Sequence, residues 1–341
     1  MARTRKPTRS SARERRARHS SNTTGGRGGG LLSSARLKQL YTTMLHCRMI
    51  AEEVQQLFKE SSAAAGHGRG QEASEVGALI ALRAQDCVAP RRRDVVAGFI
   101  LGASLKQVFA RLYERCENPG SNTMSVPEPR GPLIISGAAS MAARLNISSG
   151  VALSYKTLRK PGVVVVFSGD DSMTLASWRE AVDFAVVHKL PVVHVVQDDL
   201  GGESANSAIQ STTGATGSRI PTLIVDGNDV VAVYRVAQEA IRRAREGHGP
   251  TLIQCKTHRW PGYSGFAPAH HPPSSGIHAG GPAHDPITSM QAYLTQKGLW
   301  SEAWKQGLVK AFRKRLDAAV HSAQKRESDK ATNETSVKDK E

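Results

Sequence analysis

Acidic residues close two apolar runs in this chain. Val163 to Phe167 leads into Ser168-Gly169-Asp170-Asp171, and Val192 to Val196 leads into Gln197-Asp198-Asp199. Oxygen-rich strand ends suit a hard divalent cation such as Mg2+, which is usually completed by phosphate oxygens and water. The same residues would serve as polar turns or helix caps, so their spacing alone leaves both readings open. His270, His271, His278 and His284 fall in one stretch rich in proline and glycine, and their irregular spacing fits a flexible loop better than a metal cluster. Cys47, Cys87, Cys116 and Cys255 lie far apart, with neither CxxC spacing nor the density of a disulfide framework. They are expected to be buried thiols in a reducing compartment.

Chemistry at strand ends needs strands that run the same way, because open α/β sheets bind ligands at the carboxyl ends of parallel strands. The short β-branched runs at 163–167, 192–196, 222–225 and 251–256 meet that need. They are mostly apolar, as strands covered on both faces are, and helical patterns at 174–188 and 229–246 separate some of them. Upstream, Leu37, Leu40, Tyr41, Met44 and Leu45 recur at helical spacing, continued by Val54, Leu57 and Phe58. Further helices are expected from Ala73 to Leu82 and from Ser104 to Tyr113, whereas 117–137 reads as a long loop over a ligand site or an interface. Leu308, Phe312, Leu316 and Val320 repeat at helical spacing near the end, and the charged remainder should fray.

The net charge of +16 over 341 residues would suggest a nucleic-acid partner if it were spread over a folded surface. It is not spread. The Lys/Arg residues before Leu37 face the single acid Glu14, and no aromatic side chain interleaves with them as a stacking surface would require. The charge is therefore assigned to a disordered arm, not to a nucleic-acid surface. Its Arg- and Ser-rich, acid-poor composition also fits a mitochondrial transit peptide, but an amphipathic apolar face is missing before Leu31. A cytoplasmic location is expected, with the mitochondrial matrix as the alternative. No apolar run approaches the roughly 18 residues of a membrane helix, so no membrane partner is expected.

The series of strand-end motifs resembles a known family. Gly-Asp after one strand and a polar pair after the next resemble the Gly-Asp-Gly and Asn-Asn signature of thiamine-diphosphate enzymes. Between them Glu180, Ala181, Ala185, Leu190 and Pro191 are similar to the alpha subunits of pyruvate and branched-chain 2-oxo acid dehydrogenases. So are Gly70-Gln71-Glu72-Ala73, Ile220 to Val231 (IPTLIVDGNDVV), Gly249-Pro250-Thr251-Leu252-Ile253, His284-Asp285-Pro286-Ile287, Tyr293-Leu294 and Lys297-Gly298-Leu299. The likeness covers about residues 34–325 in order.

The resemblance implies an α/β thiamine-diphosphate-binding fold, a parallel sheet with helices on both faces. It also implies thiamine diphosphate and Mg2+ as cofactors, and a heterotetramer with a beta subunit that completes the site. The implied reaction is oxidative decarboxylation of a small 2-oxo acid, with the acyl group passed to a lipoyl-bearing transacylase component. Carried over residue by residue, Asp170, Asp199 and the Gly201 carbonyl would ligate the metal. Arg93, Gly169, Asp170, Asp171 and Arg259 would face the diphosphate, and Ala139 and Met141 would hold the aminopyrimidine through backbone groups. His67 and Tyr263 fall where active-site histidines are expected, one of them displaced by a position and the other replaced.

Several family positions are altered. Asp171 stands for a glycine, Asp198 and Asp199 for two asparagines, Asp183 for an asparagine, Ala176 for a glycine, Arg92 for a tyrosine, Val95 for a histidine and Arg144 for a glutamine. A carboxylate can replace an asparagine oxygen on Mg2+, but each added negative charge about 5 Å from a diphosphate costs on the order of 3 kcal/mol at an effective dielectric near 20. The expected organisation is a basic arm at 1–33, one dehydrogenase alpha-subunit domain at 34–325 and a charged tail at 326–341. The competing readings are a non-catalytic paralogue kept as a scaffold or regulatory subunit, and a nucleic-acid-associated protein acting through the arm.

Overall fold

A computed structural model describes residues 32–57, 70–91, 94, 96–117, 131–135, 140–169, 176–199, 220–257 and 284–338. Its centre is a six-stranded sheet formed by β1 (Cys87–Ala89), β2 (Leu133–Ile134), β3 (Val164–Gly169), β4 (Val192–Asp199), β5 (Thr222–Asp226) and β6 (Thr251–Thr257). The order is β2-β1-β3-β4-β6-β5 and every pairing is parallel. The expected α/β fold with a parallel sheet is the one observed.

Helices cover both faces, which is why β3 and β4 are rich in valine. On one face Val164, Val166, Val192, Val196 and Leu252 pack with Leu145 and Ala152 of α5 (Met141–Thr157) and with Trp178, Ala181, Val182 and Ala185 of α6 (Ala176–Val187). On the other, Val163, Val165, Phe167, Val193 and Val195 pack with Ala78 and Leu79 of α2 (Glu72–Leu79) and with Val233, Ala237, Ala240 and Ile241 of α7 (Val230–Arg245). Gly77 lets α2 and α7 touch, since a Cβ there would lie 2.8 Å from Val233 Cγ1.

Outside α2 lies a further helical layer. Leu40, Tyr41, Met44 and Ile50 of α1 (Ser34–Leu57) share a core with Phe109 of α4 (Leu105–Glu117), Met290 and Leu294 of α8 (Pro286–Gln296), and Phe312 and Leu316 of α9 (Glu302–Lys338). The short α3 (Val96–Ile100) starts on Asp94, whose Oδ1 accepts from the backbone N–H groups of Val96 (2.8 Å) and Ala97 (3.0 Å).

The amino edge of the sheet is closed by Asp86, fully buried and clamped by Arg245 at 2.9 Å, with Val163 N donating to it at 3.0 Å. This pair ties β1, β3 and α7 together at the end away from the strand-end acids.

The expected helix from Ala73 to Leu82 ends early, at Leu79, and the chain then turns toward β1. The segment 117–137 holds β2, too short to show a period, and α5 is an element that serines and Gly150 conceal. The domain boundary expected at 325 falls inside α9, whose helical backbone continues to Lys338. Among the described residues no helix is long and apolar enough to cross a membrane. Cys47, Cys87 and Cys255 are buried free thiols.

Candidate functional site

The carboxyl edge of the sheet gathers the polar residues. Gly169 ends β3 and pairs with Gln197, while Asp198 and Asp199 of β4 pair with Lys256 and Thr257 of β6. The two acidic strand ends are therefore side by side on adjacent strands. This is the arrangement required of a ligand site shared between them.

Above this edge a buried polar layer joins β1, β4 and α2. Arg91, just past β1, donates from Nη1 to Gln71 Oε1 at 2.9 Å and to Gln197 Oε1 at 3.1 Å. Gln197 Nε2 donates in turn to Ser74 Oγ at 2.8 Å. Glu75 lies in the same layer and is 5% exposed. Burial, and then the nearby Asp94 charge, push its carboxyl well above the ordinary range, with Arg91 and Gln197 only partly opposing.

The turn into α2 is held from behind. Arg48 of α1 makes a bidentate contact with Glu72 and donates from Nη2 to Asp285 Oδ1 at 2.8 Å, while Gly70 N donates to Glu72 Oε2 at 2.9 Å. Burial opposes the Asp285 charge, but Arg48 and Thr288 overcome it and hold the carboxyl below its ordinary range. Asp285 also caps α8. Gly70-Gln71-Glu72 and His284-Asp285-Pro286, distant in sequence, are thus one structural unit.

The other face of the edge carries Asp198, 1% exposed. Its Oδ2 accepts from Gln254 Nε2 at 2.6 Å and from Lys256 Nζ at 2.5 Å, and its backbone oxygen accepts from Thr257 Oγ1 at 3.2 Å. One row back, Ser168 and Gln254 flank Val196 across the sheet. Ser168 Oγ and Gln254 Oε1 are buried with no hydrogen-bond partner among the described residues. Unsatisfied oxygens beside a strand-end acid suit a polar ligand or water at this place better than an apolar one. Also on this face, His194 has neither ring nitrogen bonded among the described residues, and burial pushes its pKa down to about 4.

Of the residues nominated from sequence, Gly169 and Met141 are described, and Asp199 by its backbone. Met141 opens α5 under the Ser140 cap, with its Sδ accepting from Arg144 Nη2 at 3.3 Å, and Arg144 also donates to the Pro90 oxygen. His67, Arg93, Ala139, Asp170, Asp171, Gly201, Arg259 and Tyr263 lie outside the described residues. No group of three His, Cys, Asp or Glu side chains that could hold a metal occurs among the described residues. Glu75 and Lys256 are residues of this polar edge that sequence reasoning missed, whereas Gln197 already stood in the acidic strand-end motif. The available signal was polarity inside β-branched runs: Gln254 and Lys256 alternate in β6, and Gln197 precedes the two aspartates.

A doubly covered parallel sheet with a cluster of buried polar groups at its carboxyl edge defines an α/β protein of the kind in which ligands bind at strand ends. The sequence matches the dehydrogenase E1 component family over residues 41–332, and the chain belongs to that family. It is 30% identical over 276 residues to the chloroplastic pyruvate dehydrogenase E1 component subunit alpha-3 of Oryza sativa subsp. japonica, a match covering 74% of this chain and 62% of that protein. It is 29% identical over 270 residues to the pyruvate dehydrogenase E1 component subunit alpha of Staphylococcus aureus strain Mu50, covering 77% of this chain and 71% of that one. The matched stretch is therefore less than two thirds of the rice protein. The family resemblance read from the motifs is confirmed.

Proposed function

We propose that this chain is the alpha-type subunit of a thiamine-diphosphate-dependent 2-oxo acid dehydrogenase and holds the diphosphate end of the cofactor with Mg2+. The observation that carries the reading is the pairing of Gly169 with Gln197, which sets the ends of β3 and β4 side by side, with Asp170 next in sequence after one and Asp199 closing the other. When bound, thiamine diphosphate supplies the carbanion and electron sink for decarboxylation. The chain supplies position and electrostatics. Arg91 is fixed at the sheet edge by Gln71 and Gln197. Asp170, Asp199 and the Gly201 carbonyl would ligate Mg2+. Arg93, Asp171 and Arg259 would line the diphosphate, while Ala139 and Met141 would hold the aminopyrimidine by backbone groups. His67 and Tyr263 would face the substrate, where Tyr263 can donate a hydrogen bond but is a poor proton shuttle near neutral pH.

A beta subunit completes this site and a lipoyl-bearing component takes the acyl group. Support for a subunit contact comes from the exposed apolar side chains of α5 and α6, including Ile147, Leu153, Phe184 and Val187. The test is co-expression with a beta subunit and calorimetric titration with thiamine diphosphate and Mg2+. Binding is expected. Asp171→Gly with Asp199→Asn should tighten it at least tenfold, or about 1.4 kcal/mol. No binding by either form of the assembled complex would overturn the proposal in favour of a scaffold subunit.

A further inference from the structure

Asp198 is the added acid whose partners the structure shows. It stands where the resembling family carries an asparagine, and it pairs in register with Lys256 on the neighbouring strand. Its side chain is 2% exposed and that of Lys256 24% exposed, with the ammonium nitrogen 2.5 Å from the carboxylate. Gln254 donates to the same oxygen from one side and Thr257 to the backbone oxygen from another. An amide has no net charge and needs no cation, whereas a carboxylate at this depth is strongly unfavourable unless a cation and hydrogen bonds accompany it. Lysine is also an unusual residue for a strand whose other positions are all buried.

We propose that Asp198 and Lys256 are a coupled replacement for a neutral amide, and that Lys256 is a positioning residue that sets the affinity of the strand ends for a phosphorylated anion. The proposal rests on the functional reading above. With the pair intact the row contributes no net charge, so an anion at the strand ends meets the electrostatics of the amide it replaces. Remove the lysine, and a bare carboxylate adjoins the residue that closes β4. Remove the aspartate, and an uncompensated cation stands there instead.

The two single substitutions should therefore act in opposite directions on anion binding. The probes are Mg2+ with inorganic pyrophosphate, and Mg2+ with thiamine diphosphate, titrated into the full chain co-expressed with a beta subunit. Melting temperatures are read on the same samples. Lys256→Gln should weaken binding of both probes roughly tenfold, the scale of one unit charge at about 8 Å in an effective dielectric near 20 after partial screening. It should also lower the melting temperature by several degrees. Asp198→Asn should tighten binding of both, while Lys256→Arg and the Asp198→Asn, Lys256→Gln double variant should return close to the original affinity. The double variant folds even where Lys256→Gln does not, because it leaves no unpaired charge. If both single variants weaken binding, or if the double variant does not return toward the original affinity, the pair is structural only and the inference fails. If no variant, nor the original chain, binds either probe, the functional reading fails with it. In that case a non-additive melting-temperature cycle would still show that the pair is coupled, without a role toward an anion.

Discussion

Replacing Arg48 by methionine tests whether the unit behind the site is held by charge. Arg48 is the cation shared by Glu72 and Asp285, with side-chain exposures of 9% for the arginine and 4% and 11% for the two acids. Methionine keeps much of the buried volume and leaves two carboxylates without this partner. Breaking a buried ion pair from one side costs about 3–5 kcal/mol. For a chain of 341 residues at about 2.1 cal/mol/K of unfolding entropy per residue, a loss of about 4 kcal/mol lowers the melting temperature by about 6 °C. The pH dependence adds a second check. The Asp285 carboxyl is held below its ordinary range, so its stabilisation is present above the unfolded-state value near 3.9 and is lost as pH falls through the lower folded value. The gap between the two proteins in differential scanning fluorimetry should thus be steady from about pH 5.5 to 8 and shrink below about pH 4. A melting temperature within about 1 °C of the original at pH 7, or a gap that stays open in acid, would refute the reasoning.

Three other outcomes follow from buried groups. Glu75 carries a raised pKa, so the stability it contributes is complete below the ordinary glutamate value and fades as pH rises through the folded value. Glu75→Gln should therefore raise the melting temperature at pH 8 and leave it unchanged near pH 4. His194 is pushed down to about 4, so stability falls as pH drops from about 6.5 toward 4 and the full loss is about 3 kcal/mol. His194→Leu should flatten that part of the pH–stability curve measured in urea. Gly77→Ala would place a Cβ 2.8 Å from Val233 Cγ1. It should cost about 1–3 kcal/mol in urea unfolding by forcing α2 from α7.

Much of the scaffold was legible because burial on both faces leaves an unmistakable trace. β3 and β4 are valine-rich runs, β6 opens with Thr251-Leu252-Ile253, and α1 and α7 keep helical spacing over several turns. β1 and β2 have three and two residues, less than a period can reveal, and their pairing is set by neighbours remote in sequence. α5 lacks a strong apolar stripe and is declared mainly by the Ser140 cap. The acids at the strand ends could be seen in sequence, but their partners could not. Lys256 becomes the partner of Asp198 only when β4 and β6 pair, although β5 and α7 lie between them in the chain.

The same limit governs how an acidic site of this family can hold an anion. Counted from sequence, the carboxyl edge looks hostile to a diphosphate. Counted from the structure, the described acids are nearly all compensated: Glu72 and Asp285 share Arg48, Asp198 has Lys256, and Glu75 is biased toward its neutral form by burial. What the described edge then presents is the Arg91 guanidinium with neutral amides from Gln71 and Gln197. Burial makes this compensation necessary in the folded chain whether or not a ligand is present, since an unpaired carboxylate at these depths would oppose folding. On the function proposed above, the charge left to decide anion affinity would be that of Asp171 and Asp199 set against Arg91, Arg92 and Arg93.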